Sequence, residues 1–115
     1  MNRWDVYWID FPFEDDPNQF KERPAIILKD QTVCILALRV TSHDERAYDY
    51  YDYALQEWQY ANLAKPSVVR IKKLAQVLPE KIRGYIGRLH PVDIMAIQLK
   101  MKQWKEERDR RFVRR

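Results

Sequence analysis

The sequence predicts a mainly β, α+β fold in which short antiparallel strands form a small barrel closed by one C-terminal α-helix. Three observations predict it. Short segments of alternating polarity, rich in β-branched and aromatic residues, recur along the first two thirds of the chain. Clusters of Pro, Asn, Asp and Ser separate them. Near Pro91 the apolar period changes to three and four residues, the spacing of a helix face. The chain has 115 residues, 46% hydrophobic and 13% aromatic, with four Trp and seven Tyr. That is core material for a single domain over 1–115, since halving it would leave two pieces too small to bury adequate cores.

Asp5 to Phe11 (DVYWIDF) alternates and predicts the first strand. Phe13 to Arg23 is polar and holds Pro17 and Asn18, which mark a loop. Pro24 to Leu28 is a short apolar strand. Pro24 biases the preceding Arg23 towards an extended backbone, placing Arg23 at the mouth of that strand. Thr32 to Thr41 is the most apolar segment and predicts a buried central strand. Tyr50 to Leu55 alternates as a half-buried strand. Glu57 to Ala61 predicts a helical turn ended by Asn62 in a left-handed conformation. Ser67 to Leu74 returns as a strand, and Pro79 to Ile86 reads as a short helix or turn-rich piece stopped at Gly87.

The last element opens with Pro91, suited to the first helical position, and Asp93, favoured by the helix dipole. Ile94, Ile97, Met101 and Trp104 form its apolar stripe. From about residue 106 the chain reads as a frayed basic tail, with Arg108, Arg110, Arg111, Arg114 and Arg115.

The formal charge is +4, but its distribution says more than its sum. Gln98 to Arg115 holds eight Lys/Arg against three Asp/Glu, Asp44 to Glu57 sums to −4, and Leu63 to Arg88 to +6. Such polarity suits a polyanion beside the basic stretch. No apolar run approaches the roughly 20 residues that cross a bilayer. The single Cys34 excludes an intrachain disulfide and reads as a buried small hydrophobe in a reducing, cytoplasmic setting. No His/Cys/Asp spacing matches a metal site, and neither a Gly-rich phosphate loop nor a Gly-x-Ser-x-Gly elbow is present, so no cofactor is expected.

Read in order, DVYWIDFPFED (Asp5 to Asp15), RPAIIL (Arg23 to Leu28), VTS (Val40 to Ser42), EW…ANLAKPSVVR (Glu57 to Arg70) and IGRL (Ile86 to Leu89) resemble the MazF/PemK (Kid/CcdB-like) toxin family. The resemblance spans nearly the whole chain. It implies an SH3-like barrel of about seven strands with a terminal helix, commonly a homodimer. It also implies metal-independent cleavage of single-stranded RNA by attack of a ribose 2′-hydroxyl, and neutralisation by an antitoxin whose disordered segment occupies the RNA groove.

On that resemblance Arg23 matches an Arg at the scissile phosphate, a role for which a planar, permanently charged donor fork is suited. Thr41, with Ser42 beside it, matches a positioning hydroxyl. Arg70 falls where some members carry a second catalytic Arg, although an acid two residues later is replaced here by Lys72. His43 is a second candidate for moving a proton. His90 reads as a helix-leading residue. Lys72, Lys73, Lys81 and Arg88, with Arg70, form the expected RNA-facing set. The YDYYDY run (Tyr48 to Tyr53) is assigned to packing, with Asp49 and Asp52 exposed. Two other functions suit the same fold: a non-catalytic module binding RNA or a protein, and a CcdB-like inhibitor of a DNA-handling enzyme.

Overall fold

The computed structural model describes residues 1–13, 15–31, 33–42 and 49–113. Six strands form one antiparallel sheet: β1 (Asp5–Pro12), β2 (Phe20–Asp30), β3 (Ile35–Ser42), β4 (Asp52–Ala54), β5 (Ser67–Val77) and β6 (Ile82–Arg88). Their order is β4-β5-β3-β2-β1-β6. One helix, α1 (Pro91–Val113), follows. Among the described residues six strands stand where about seven were expected. None of the described helices is long and apolar enough to cross a membrane.

Alternation along the strands builds two cores. Val6, Ile26, Leu28, Leu38 and Val40 pack on the helix side with Ile97 and Leu89. Ile9, Phe11, Ala25, Ile27, Ile35 and Ala37 fill the other side. A sheet with apolar residues on both faces must curl or be covered on both, as in a small barrel. β5 shows where it bends. Val69 pairs with Val40 and Leu74 with Leu38, so Arg70 to Lys73 stand against Arg39 alone. This bulge sharpens the local twist, buries Ile71 and turns Lys72 to Leu74 outward.

Several sequence expectations change here. Pro79 to Ile86 is a short 3-10 helix only at Pro79–Lys81. The rest becomes β6, because the free edge of β1 needs a partner, and it runs through Gly84 and Gly87. β2 begins at Phe20, so Pro24 lies inside the strand. The basic end continues as helix to Val113, with Arg111 bonded to Glu107 at 2.7 Å and Arg108 and Arg111 over the Trp104 ring. Arg114 and Arg115 lie outside the described residues. Cys34 is half-buried between β2 and β3, its thiol donating to Gln31 Oε1 at 3.2 Å.

The helix stripe packs as expected: Ile97 is fully buried, and Ile94, Met101 and Trp104 lie against the first core. His90 leads the helix, its Nδ1 accepting the Val92 N–H at 3.0 Å. The anchor is Asp93, wholly buried. Its Oδ1 accepts from the Tyr53 hydroxyl at 2.7 Å and the Gln56 N–H at 2.9 Å, and its Oδ2 from the Glu57 N–H at 2.9 Å. Further along, the Tyr51 hydroxyl donates to the Glu107 carboxylate, and Lys100 Nζ to the Tyr50 carbonyl. Tyr50, Tyr51 and Tyr53 are therefore the cradle of the helix, and Tyr48 lies outside the described residues. Asp49 and Asp52 are half-buried rather than exposed, holding the turn through the Tyr51 and Asp49 N–H groups.

Burial, reinforced by the bond to Asp93, pushes the Tyr53 phenol far above its ordinary range. The bond to Glu107, then burial, raises Tyr51 as well. Burial, with the Asp5 carboxylate next, raises Tyr7. Above pH 10 an unfolded chain gives up these protons while the folded one keeps them. The contribution of these tyrosines is therefore full below pH 10 and falls as pH rises beyond it. Chemical denaturation from pH 8 to 11 should show that fall, and Tyr53→Phe should flatten it. Asp93→Ala leaves three donors without an acceptor and should cost about 3 kcal/mol or more in urea titrations.

Candidate RNA-facing cleft

The sheet divides at one end, and the division makes a cleft. β2 and β3 pair from Asp30↔Ile35 to Ala25↔Arg39 and no further, although both strands continue. The next residue, Pro24, brings no N–H to a ladder. Beyond it β2 stays with β1, as in Trp8↔Pro24, while β3 stays with β5, as in Thr41↔Val68. Arg23 and Thr41 each lie two residues past that last pair, on the two strands that part.

The resulting cleft has a volume of about 460 Å³. Arg23, Thr41 and Ser42 all line it, together with Lys21, Glu22, Lys65 and Trp8. Arg23 is half-buried and Thr41 buried, the latter 5% exposed. Three of the lining side chains are cationic and one is anionic, so the cleft carries a net positive charge.

Its far wall is the turn after β4. Ala61, Asn62 and Leu63 N–H groups donate to the Glu57, Gln59 and Trp58 carbonyls. Asn62 closes the turn with φ 64°, the left-handed conformation read from the sequence. Its Nδ2 donates to the Ile86 carbonyl at 3.1 Å, tying the turn to β6. Ser67 Oγ donates to the Lys65 carbonyl at 2.8 Å and fixes the segment that carries Lys65. Gly87 allows the close approach: a Cβ there would stand 2.4 Å from the Ala61 carbonyl oxygen.

A family model of PemK-like, MazF-like toxins of type II toxin–antitoxin systems matches residues 2–104. The chain belongs to that family. Among solved structures, an endoribonuclease in complex with its cognate antitoxin from a mycobacterial species shares the fold of this PemK/MazF-like toxin. The TM-score is 0.68 at 16% identity, over 90% of this chain and 92% of that one. No curated protein matches the sequence.

The other described residues singled out in this PemK/MazF-like toxin lie apart from the cleft lining. Arg70 sits on β5 opposite Asp52, its Nε buried without a hydrogen-bond partner among the described residues. Lys72 reaches the helix, 3.3 Å from Asp49 and 4.6 Å from the Trp104 ring centre. Lys73 is exposed on the same bulge. Lys81 lies 4.0 Å over Phe20, and Arg88 pairs with Asp5 at 3.2 Å. His43 falls outside the described residues. Among the described residues no His, Cys, Asp and Glu group is placed to hold a metal ion.

In their place the toxin brings Lys21 and Lys65 to Arg23, along with the indole of Trp8. Lys21 was visible two residues before Arg23, and Lys65 stands within ANLAKPS. Neither had a signal of its own, since only the split sheet makes them neighbours. Gly87→Ala should push the 58–65 turn away from β6. A loss of about 1–3 kcal/mol in thermal or urea melts is expected, with amide chemical-shift changes concentrated in Ala61 to Lys65.

Proposed function

We propose that this toxin is an endoribonuclease that cuts single-stranded RNA without a metal ion. The observation that carries the proposal is the meeting of Arg23 and Thr41 in one open, cationic cleft. In the proposed reaction the ribose 2′-oxygen forms a bond to the adjacent phosphorus, and the bond to the 5′-oxygen breaks. The products are a cyclic phosphate and a free 5′-hydroxyl. Arg23 stabilises the charge that gathers on the phosphate oxygens. Thr41, with Ser42, positions the phosphate, since a hydroxyl is a poor base near neutral pH.

Glu22 is the carboxylate lining the cleft and takes the proton of the 2′-hydroxyl. The departing oxygen gains a proton from the ammonium groups of Lys21 or Lys65. His43, next to Ser42 in sequence, is the competing proton acceptor, and Glu22→Gln and His43→Ala separate the two. Arg70 and the remaining cations act as longer-range attraction for the polyanion. A cognate antitoxin neutralises the toxin by laying a segment in this same cleft, where the cations favour an acidic one.

We also propose a homodimer. Val92, Met95 and Leu99 form a second apolar stripe on α1, 39%, 71% and 58% exposed, on the side turned away from the core. Leu99→Lys places a charge in that stripe and should shift sedimentation from a dimer to a monomer.

Arg23→Ala should lower cleavage of a long single-stranded RNA by at least about a hundredfold, with the melting temperature held. Mapped ends should carry 5′-hydroxyls, and cutting should persist in EDTA. Equal cutting by Arg23→Ala would overturn the assignment of the site. Intact but shifted RNA in gels of the parent would instead identify a binding module.

A further inference from the structure

We infer that Trp8 is a stacking platform on which one unpaired base of the RNA lies, in space that Gly84 leaves open. The inference rests on the nuclease reading, because it names how the same cleft grips its substrate. Trp8 occupies the middle of β1, between the buried Val6 and Ile9, yet it is 38% exposed and lines the cleft. Trp4, by contrast, is buried at 6%, and Trp58 and Trp104 pack on the first core.

Its cross-strand neighbours are Pro24 on β2 and Gly84 on β6. The proline is compact, and the glycine has no side chain at all. Gly84 does not have the positive φ that would demand glycine, and a Cβ built there meets nothing within 4 Å. Neither backbone nor packing calls for glycine at that position. As the cross-strand neighbour of Trp8 it adds no side chain to the face the two residues share, as where a ligand approaches a strand closely.

Aromatic faces accept any base, because every base has a π-face, and Lys21, Arg23 and Lys65 stand in the same cleft for the phosphates. The platform therefore supplies affinity and register rather than sequence preference.

The test uses a short labelled single-stranded RNA with 2′-O-methyl groups throughout, which binds but lacks the attacking hydroxyl. Anisotropy titrations compare the parent with Trp8→Phe, Trp8→Ala and Gly84→Val, and unmodified RNA is cut in parallel. Trp8→Ala and Gly84→Val should weaken binding roughly 5- to 100-fold, with Trp8→Phe close to the parent. A Cβ at position 84 meets nothing within 4 Å and valine suits a strand, so Gly84→Val carries the test should Trp8→Ala fail to fold. Scanning an abasic site along the RNA should reveal one position whose base matters to the parent and not to Trp8→Ala.

If the parent binds and cuts while both disruptive variants bind as tightly, stacking is wrong and the nuclease reading stands. The same holds if no abasic position separates the parent from Trp8→Ala. A parent that neither binds nor cuts brings down the nuclease reading, and stacking with it.

Discussion

A single buried carboxylate holds the two parts of this molecule together. Asp93 has no exposed surface, and its oxygens receive the Tyr53 hydroxyl and two backbone N–H groups from the segment after β4. A charge buried without partners would cost several kcal/mol, and this one is tolerated because three donors replace its water. The bonds join the start of α1 to the strand edge, so the helix cannot shift without moving the turn that follows Glu57. That turn carries Asn62 to Lys65, the wall of the cleft. The position of the far wall thus depends on a group placed on the helix.

The near wall has a different origin. Antiparallel strands pair for as long as each supplies donors and acceptors, and Pro24 supplies no donor. β2 and β3 then follow their outer neighbours, and the space between them is the cleft. Arg23 and Thr41 lie just past the last β2–β3 pair, one on each strand, and both line the gap. A proline inside a strand, normally a defect, here separates two rows of side chains without unfolding either.

Sequence periodicity alone reveals elements that have their own pattern. The stripe from Ile94 to Trp104 names the helix face, alternation names β1 and β4, and an apolar run names β3. β6 was hidden because Pro79 to Ile86 reads as a short helix or turn-rich piece stopped at Gly87, whereas the strand answers the free edge of β1 and Gly87 the close Ala61 carbonyl. Those reasons are tertiary and leave no local trace. Arg23 and Thr41 were legible through short ordered segments shared with a toxin family. Lys21, Lys65 and Trp8 were not, since each is ordinary in its own segment. Asp93 was read as a dipole partner, a first-turn role that is local, whereas its larger task is to receive donors some 36 to 40 residues back in the chain.

The same distinction governs the charge. A net +4 invites the view that the basic C-terminal half is the RNA surface. Yet Lys72, Arg108 and Arg111 gather over the Trp104 ring, Arg111 also pairs with Glu107, and Arg83 and Arg88 pair with Asp10 and Asp5. Cations already matched by rings and carboxylates serve packing first, and an RNA phosphate would have to displace those partners to gain them. The Tyr51–Glu107 bond adds to this, holding the Glu107 carboxyl below its ordinary range so that it stays ionised beside Arg111. Lys21, Arg23 and Lys65 owe their importance to place rather than number. They converge on a concave site whose walls focus their field, and that convergence, more than net charge, directs a polyanion to one side of the sheet.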